Sequence, residues 1–306
     1  MKTTNCLPAL TAISFTALLT SAPALAEEDY KISFEASAGV SADSNVGIPD
    51  LDQNTDQGDV ALLLRGKTQV DANPTEKLVL RGGYEFSQTS YQDFDAFDLQ
   101  THRGFAEGEY DFGLLKAGVL ANYVHARLDD EGYLDYSQVS PNISKLFGDA
   151  LFLRAAYVHT EKDFKTDDAR DSDGAAGRLD VFWFLDGTDR YVSLGGEVGS
   201  EDAESDVFDL DSKSAKARFV QRFDMLGRES KLRLGATYEQ LDYDNITPAI
   251  DERREDRTAS AEGDLEVPIH GPLSLDLGYQ YRDRDSNLET ADYDEHVGSV
   301  ELKVAF

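Results

Sequence analysis

The chain has 306 residues, with 59 acidic residues against 29 basic ones and a formal net charge of −30. This sign of charge disfavours nucleic acid as a partner, because binding to phosphates needs Lys and Arg. A mean hydropathy of −0.45 leaves two classes open. One is an acidic soluble all-β protein, and the other is a membrane barrel, in which only alternate side chains meet lipid.

Residues 1–26 predict a cleaved secretory signal peptide. Lys2 is their only charge, residues 7–19 are apolar, and residues 24–26 (Ala-Leu-Ala) have the small-x-small pattern that precedes a cleavage site. The apolar run is too short for a membrane-spanning helix. Since the only cysteine, Cys6, lies in this segment, we expect the mature chain, 27–306, to form one exported domain without a disulfide.

Alternation of apolar and polar residues along the mature chain predicts an all-β fold. The last strand is the clearest, because Gly298 to Phe306 place apolar side chains on one parity and Glu301 and Lys303 on the other. A strand between Phe97 and Tyr110 has a blurred pattern and completes a total of fourteen. The other predicted strands lie at 32–40, 60–70, 78–86, 115–123, 139–143, 151–157, 179–183, 192–198, 215–223, 232–238, 259–267 and 273–281.

The predicted connections alternate in length. Short segments rich in turn residues follow every second strand, and longer polar segments such as 42–58, 161–173 and 241–255 follow the others. This asymmetry is typical of outer-membrane barrels, whose short turns face the periplasm. We therefore expect a closed, antiparallel, up-and-down transmembrane β-barrel of about 14 strands, within a range of about 12 to 16, in the cell outer membrane. An even strand number puts both termini in the periplasm.

The polar parity of these strands predicts a wet, charged lumen, wider than side chains can fill. Acidic and basic residues interleave on it. They could pair across neighbouring strands as ordinary sheet partners, or together set a field that selects solutes. The predicted lumen-lining residues are Arg65, Lys67, Arg81, Arg154, Arg178, Arg218, Arg222, Arg233, Glu262, Asp264 and Arg282.

Most of the excess negative charge lies in the predicted long loops. Segments 50–56 (Asp-Leu-Asp-Gln-Asn-Thr-Asp) and 171–174 (Asp-Ser-Asp-Gly) loosely resemble calcium loops, but neither has the distal Glu and the placed Gly of the complete pattern. The sequence therefore predicts solvated acidic loops that attract cations, divalent cations among them, over a Debye length of about 8 to 10 Å. It predicts no defined metal site and no cofactor.

The five histidines are the candidates for catalysis in a barrel hydrolase. His125 and His159 are predicted near the outer ends of their strands, within reach of loop carboxylates. No nucleophile motif such as G-x-S-x-G occurs, and the spacing singles out no catalytic pair. We therefore expect that the protein is not an enzyme.

Two short motifs carry a family resemblance. Residues 38–46 (Ala-Gly-Val-Ser-Ala-Asp-Ser-Asn-Val) resemble the first strand and loop of several outer-membrane barrels, including the C-terminal barrel of surface lipoprotein assembly modifiers, and residues 285–296 are similar to the end of that barrel. The terminal Phe306 resembles the signal that the outer-membrane assembly machinery reads. The resemblance implies a porin-like barrel whose partners are membrane lipid, lipopolysaccharide and this machinery. The sequence lacks the helical-repeat region that precedes the barrel in that family.

Taken together, these patterns favour a porin-like channel for passive passage of small hydrophilic solutes. One alternative is a barrel that moves or displays a polypeptide or polysaccharide at the cell surface, as in assembly modifiers or polysaccharide export. Another is a structural or adhesive surface barrel with a plugged lumen.

Overall fold

The computed structural model describes residues 30–225 and 227–306, so the predicted signal peptide lies outside the described residues. Within them, fourteen long strands pair in sequence order and the last pairs with the first, which closes an antiparallel barrel and confirms the predicted fold. The barrel strands are β1 (Tyr30–Asp43), β4 (Asp59–Thr75), β5 (Leu78–Tyr91), β6 (Leu99–Asp111), β7 (Lys116–Leu128), β8 (Glu131–Phe147), β9 (Leu151–Phe164), β10 (Ser172–Asp186), β11 (Arg190–Ala203), β12 (Leu210–Met225), β13 (Arg228–Thr247), β14 (Glu252–His270), β15 (Leu273–Ser286) and β16 (Tyr293–Ala305). Two short strands, β2 (Gly47–Ile48) and β3 (Gln53–Asn54), form a hairpin between β1 and β4.

Each barrel strand has an exposed apolar face and a polar face that points into the barrel. On β4, Leu62 and Leu64 are 51% and 40% exposed, whereas Leu63 between them is 1% exposed. Residues that are paired in register on neighbouring strands have their side chains on the same face of the sheet. The outward and inward faces are therefore continuous around the barrel. The outward belt includes Val40, Leu62, Leu64, Leu80, Val119, Ile143, Leu179, Leu194, Leu234, Leu277, Val300 and Leu302.

The last strand, β16, pairs with the first, β1, and this seam closes the barrel. Val40 pairs with Val300, and Phe34 and Phe306 exchange backbone hydrogen bonds of 3.0 and 2.9 Å. The strand with the blurred pattern, β6, is also present. Its outward positions include His102 and small residues in place of large apolar ones, which explains the weak alternation.

The connections differ from the prediction in length. The segment 241–255 was expected to be a loop, yet β13 continues to Thr247 and β14 begins at Glu252. The sequence pattern places the ends of these strands too early because, beyond the apolar belt, the outward face of the strands is itself acidic. Polar residues there show that this part of the strand contacts water, and they do not mark its end.

The two ends of the barrel differ in the length of their connections. We call one the loop end, with connections 44–58, 92–98, 129–130, 165–171, 204–209, 248–251 and 287–292. We call the other the turn end, with connections including 76–77, 112–115, 148–150, 187–189 and 271–272.

Four connections at the loop end share one structure. Each contains a single turn of 3-10 helix, at Asp95–Phe97, Asp168–Arg170, Asp206–Phe208 and Glu289–Ala291. The residue that follows each turn is an aspartate whose side chain accepts a hydrogen bond from a backbone N–H at or next to the end of the preceding strand. This repeated bond closes the hairpins and keeps the barrel rim ordered. The four bonds run from Tyr91 to Asp98 (2.7 Å), Phe164 to Asp171 (2.7 Å), Ala203 to Asp209 (2.8 Å) and Ser286 to Asp292 (3.2 Å).

One of these aspartates provides a local test. We expect Asp209→Ala to remove about 1 kcal/mol of local stability, the usual net value of one hydrogen bond, and to speed amide exchange at Ala203 about fivefold. Hydrogen exchange measured by mass spectrometry checks this. Asp211→Ala, an exposed outward position on the same hairpin, should leave the rate unchanged, and equal effects of the two substitutions would contradict the closing role.

No helix in the ranges that the structure describes has the length and apolar character needed to cross a membrane.

Candidate functional site

The structure places every predicted lumen-lining residue on the inward face. It pairs most of them across neighbouring strands, while the pairs of Arg65 with Glu301 and of Arg218 with Glu262 each reach across one intervening strand. The charges are therefore largely compensated within the wall, as the pairing interpretation expected. A role in selecting solutes stays a prediction for each of them. The pairs are Arg65–Glu301 (3.4 Å), Lys67–Glu85 (3.0 Å), Arg81–Asp71 (2.6 Å), Arg81–Glu107 (2.7 Å), Arg154–Asp180 (3.2 Å), Arg178–Glu197, Arg218–Glu262 (2.7 Å), Arg222–Glu229 (2.8 Å), Arg233–Glu266 (2.9 Å) and Arg282–Glu295 (3.0 Å), while Asp264 lies beside Arg233 in register.

The mouth of the lumen at the loop end is different, because the connection 44–58 folds into it. We call this segment the mouth loop. Val46 and Ile48 of the loop are 0% and 2% exposed, and they pack in an apolar cluster against the inward faces of β4 to β9. The expectation of a polar lumen is therefore wrong at this end. The cluster consists of Val46, Ile48, Ala61, Tyr91, Phe94, Phe97, Leu99, Val124, Ala126, Tyr133, Leu134, Tyr136 and Phe164.

Three arginine side chains enclose the carboxylate of Asp52 at the tip of the mouth loop. Arg254 of β14 donates to both carboxylate oxygens, through Nη2 to Oδ1 and through Nη1 to Oδ2 at 2.9 Å. Arg170, between β9 and β10, donates to Oδ2 at 2.9 Å, and Arg284 of β15 donates to Oδ1 at 3.4 Å. We call these three residues the arginine clamp. Hydrogen bonds between ionised groups with bidentate geometry are among the strong ones in proteins.

The barrel wall holds the clamp in place. Asp256 accepts hydrogen bonds from Nε of Arg254 at 2.9 Å and from Nη2 of Arg284 at 2.7 Å, and it also accepts one from Ser286 at 2.6 Å. The ring of Tyr243 lies 4.7 Å from the guanidinium carbon of Arg254. These contacts within the wall fix the orientation of Arg254 and Arg284 independently of Asp52, as a preorganised site for a carboxylate requires.

The clamp also binds the main chain of the mouth loop. Arg170 donates through Nη1 to the carbonyl oxygen of Asp50 at 2.9 Å, and Arg284 donates through Nη1 to that of Pro49 at 3.2 Å. On the same side, the amide of Asn54 donates to the carbonyl oxygen of Thr290 at 2.9 Å. The mouth loop therefore spans the lumen, with apolar contacts on one wall and polar contacts on the other.

Two acidic residues at the loop tip have opposite pKa shifts. Burial raises the pKa of the Asp50 carboxyl, and the positive charges of Lys162 and Arg284 offset only part of this effect. Burial also acts to raise the pKa of Asp52, but hydrogen bonding and charge from Arg254, with the other clamp arginines, outweigh it and lower the pKa. Asp52 is thus held as a carboxylate, whereas Asp50 is disfavoured in its charged form.

The segments that loosely resemble calcium loops are engaged by groups of the chain itself. The clamp surrounds Asp52, and Asp171 accepts a backbone hydrogen bond. Asp173 of the second segment lies with His159 and Glu161 on the outward face at the loop end, where possible metal-ligand atoms of the three residues lie within 4.8 Å of one another. Attraction of divalent cations to the acidic loop end stays a prediction.

The histidines near the loop end point outward, away from the lumen. His102 contacts the hydroxyl of Tyr84, and His296 lies 2.8 Å from the hydroxyl of Tyr279. Outward Tyr and His side chains of this kind are typical of the interfacial girdle of a barrel. His125, on the same outward face, lies with its Nδ1 atom 2.7 Å from a carboxylate oxygen of Asp135.

Sequence reasoning missed the arginine clamp because all three of its members fall in segments assigned to loops. Arg170 lies in 161–173, Arg254 lies in 241–255, and Arg284 lies just beyond the predicted strand 273–281. A signal was available for one of them, since Arg284 continues the inward parity of Arg282. Extending the parity of the predicted strands 259–267 and 273–281 by up to three pairs would have placed Arg254 and Arg284 in the lumen.

Solved structures resemble this barrel in fold. An anion-selective porin from Comamonas acidovorans superposes with a TM-score of 0.52 at 9% identity, covering 92% of this chain and 100% of the porin. OmpT, an outer-membrane protein of Vibrio cholerae, gives a TM-score of 0.52 at 10% identity, covering 93% of this chain and 100% of that protein. No protein-family model and no curated protein sequence matches the chain. The fold is therefore that of the outer-membrane β-barrels, as the sequence predicted.

Proposed function

We propose that the protein is a porin-like channel of the outer membrane that passes small hydrophilic solutes and is narrowed at one mouth by the mouth loop. The apolar outward belt would contact membrane lipid and the acidic loop end would face lipopolysaccharide. The strand that ends at Phe306 would be read by the assembly machinery. We propose no catalytic activity.

The observation that carries this proposal is the charged wall of the lumen below the mouth loop. Paired charges such as Arg218 with Glu262 and Arg222 with Glu229 line the inward face of the barrel, and each of these side chains keeps about a third or more of its surface exposed. Burying so many ionised groups in a dry interior would be costly, whereas a water-filled lumen keeps them hydrated. A wet, charged passage inside a closed barrel is the arrangement of a solute channel.

Planar lipid bilayers test the proposal directly. We expect the purified full-length protein to insert as a folded barrel and to give stepwise, ohmic conductance in sodium chloride. Heat-dependent gel mobility establishes that the barrel is folded. A folded protein that stays silent both with and without the mouth loop contradicts the channel and favours a closed, structural barrel.

The pKa shifts at the loop tip predict how closure depends on pH. The mouth loop is seated when it lies in the lumen as in this structure. The pKa of Asp50 is raised in the seated loop, so the seated state becomes more favourable as the pH falls through that raised value towards the ordinary 3.8. A lowered pKa means that the contribution of Asp52 is present above 3.8 and is lost as the pH falls through its own lowered value. We therefore expect the closed fraction of single-channel records to rise on mild acidification and to fall at more acidic pH.

Two substitutions separate these effects. Asp50→Asn should remove the rise on mild acidification and keep the fall at lower pH. Asp56→Asn, an exposed position of the same loop, should keep both. Steady opening from neutral pH downward would contradict the assignment of the two carboxyls.

A further inference from the structure

Asp52 occupies the arginine clamp in the way that a bound carboxylate ligand would. Both of its oxygens accept hydrogen bonds, and three guanidinium groups from three separate elements converge on them. The residue itself has left-handed backbone geometry, with φ of 53°, a conformation that costs energy in a residue other than glycine. The loop therefore accepts an unfavourable backbone geometry in order to deliver this carboxylate.

Removing the carboxylate would leave the clamp with uncompensated positive charge. The side chains of Arg254 and Arg284 are 2% and 7% exposed. Arg170 is 18% exposed, its guanidinium carbon lies 4.3 Å from the centre of the Phe208 ring, and it also pairs with Asp167 at 3.1 Å. Asp256 is the wall carboxylate that contacts two of the three arginines. Buried guanidinium groups that lose a partner recruit another anion from solution, because an unpaired buried charge is costly.

The geometry of the clamp selects the chemical class of that anion. The two Nη atoms of Arg254 address the two oxygens of a planar group, which is the fork-to-fork arrangement of a guanidinium and a carboxylate. The clamp lies at the loop tip, where the mouth loop meets the wall, so a solute that entered the mouth would reach the arginines when the loop tip moves away from them.

We propose that the arginine clamp is a binding site for carboxylate-bearing solutes, that Asp52 is its built-in ligand, and that a solute carboxylate opens the mouth by taking the place of Asp52. This rests on the proposed channel function for its physiological meaning, but the binding site can be tested alone. A tethered ligand competes at a high effective concentration, so displacement requires a solute at a correspondingly high local concentration. In this proposal the mouth loop both narrows the lumen and competes, through Asp52, with solute carboxylates for the arginine clamp.

Thiol labelling reports whether the loop is seated. Val46 is fully buried in the apolar cluster, and Cys6 is the only natural cysteine. In a full-length chain carrying Cys6→Ala and Val46→Cys, the single thiol reacts with a polyethylene glycol maleimide when the loop leaves its seat. The reaction is followed by gel shift in sodium acetate and in sodium chloride of equal ionic strength.

The proposal predicts effects of opposite sign from the same probe. In the reporter chain, acetate competes with Asp52 and should speed labelling several-fold relative to chloride. Adding Asp52→Gly removes the side chain that acetate resembles and suits the left-handed backbone. That variant should label faster than the reporter chain in chloride, and acetate should now slow labelling several-fold by refilling the clamp.

Matched variants assign the effect to the clamp. Asp56→Gly lies in the same loop, is exposed and also has a positive φ, of 51°, so it should show no slowing by acetate. Adding Arg254→Gln to Asp52→Gly should abolish the slowing. Equal rates in acetate and chloride for Asp52→Gly, slowing that survives loss of Arg254, or a rate for Asp52→Gly in chloride equal to that of the reporter chain would each overturn the proposal.

Conductance in sodium chloride keeps this test separate from that of the channel. A protein that conducts but shows no acetate effect retains the channel and loses the carboxylate site. A protein that never conducts but shows both acetate effects retains the site and loses the channel.

Discussion

Replacing residues 44–58 with Asn-Gly is expected to raise the single-channel conductance several-fold. Asp43 and Asp59 face each other in register at the ends of β1 and β4, so a two-residue turn can join them without strain. The replacement removes the segment that spans the mouth and leaves the lumen wall in place. Bilayer recordings at fixed salt measure the change.

The shortened chain must be shown to be a folded barrel, by heat-dependent gel mobility, before the conductance is interpreted. The replacement should also abolish the pH-dependent closure, because both titrating carboxyls are removed with the loop. A conductance equal to that of the full chain would mean that the narrowest part lies deeper, among the paired charges of the wall.

Arg254→Gln is expected to unseat the mouth loop. The arginine makes two hydrogen bonds to Asp52 and two to Asp256, so its removal leaves two carboxylates with fewer partners in a covered site. Breaking such a pair typically costs about 3 to 5 kcal/mol, which corresponds to about a 100-fold or greater rise in the open fraction. The labelling rate of the Val46→Cys chain measures this rise.

Arg154→Gln is the matched control for this substitution. Arg154 also pairs with a buried aspartate, Asp180, at 3.2 Å, and the two residues are partners in register on the neighbouring wall strands β9 and β10. It should leave the labelling rate within about twofold of the parent value, since distant sites act independently. Similar rates for the two variants would show that general loosening of the barrel, and not the clamp, controls the loop.

Strand number, closure and facing could all be predicted from the sequence because they follow from alternation. In a strand with lipid on one side and water on the other, successive side chains point to opposite environments. The exposed fractions of Leu62, Leu63 and Leu64, which are 51%, 1% and 40%, show this alternation of facing. Only one of these three leucines, Leu63, faces inward, and it is buried there. Sequence alone gives the parity of such a position but not what covers it.

The ends of the strands could not be predicted in the same way. Above the apolar belt, the outward face meets water, so polar residues occupy the parity that is apolar within the belt. The stretch of β13 from Leu241 to Thr247 is an example, because Leu241 and Tyr243 face inward and Asp242 and Asp244 face outward. Only backbone pairing, such as that of Asp242 with Glu255, shows that the sheet continues there.

The clamp was beyond sequence reasoning for a further reason. Asp52 and its partners Arg170 and Arg254 are separated by 118 and 202 positions. The parity of a residue predicts whether its side chain points inward or outward. It does not predict how far along the barrel axis an inward-folded loop crosses the lumen, or which wall residues it meets there. The acidic composition of the mouth loop suggested hydrated carboxylates, whereas the structure uses one of them as the partner of buried arginines.

The pairing of β1 with β16 has a consequence for how the chain reaches this structure. Every other neighbouring pair of barrel strands is joined by a short or moderate connection, but the seam joins Glu35 to Ala305 and Asp43 to Val297. Pairings between such distant residues carry the largest loop-closure entropy and form slowly. We expect the hairpins to form early and the seam last, so that the growing sheet keeps two bare edges until β16 arrives. Those edges are the point at which a partly folded chain would aggregate with another copy.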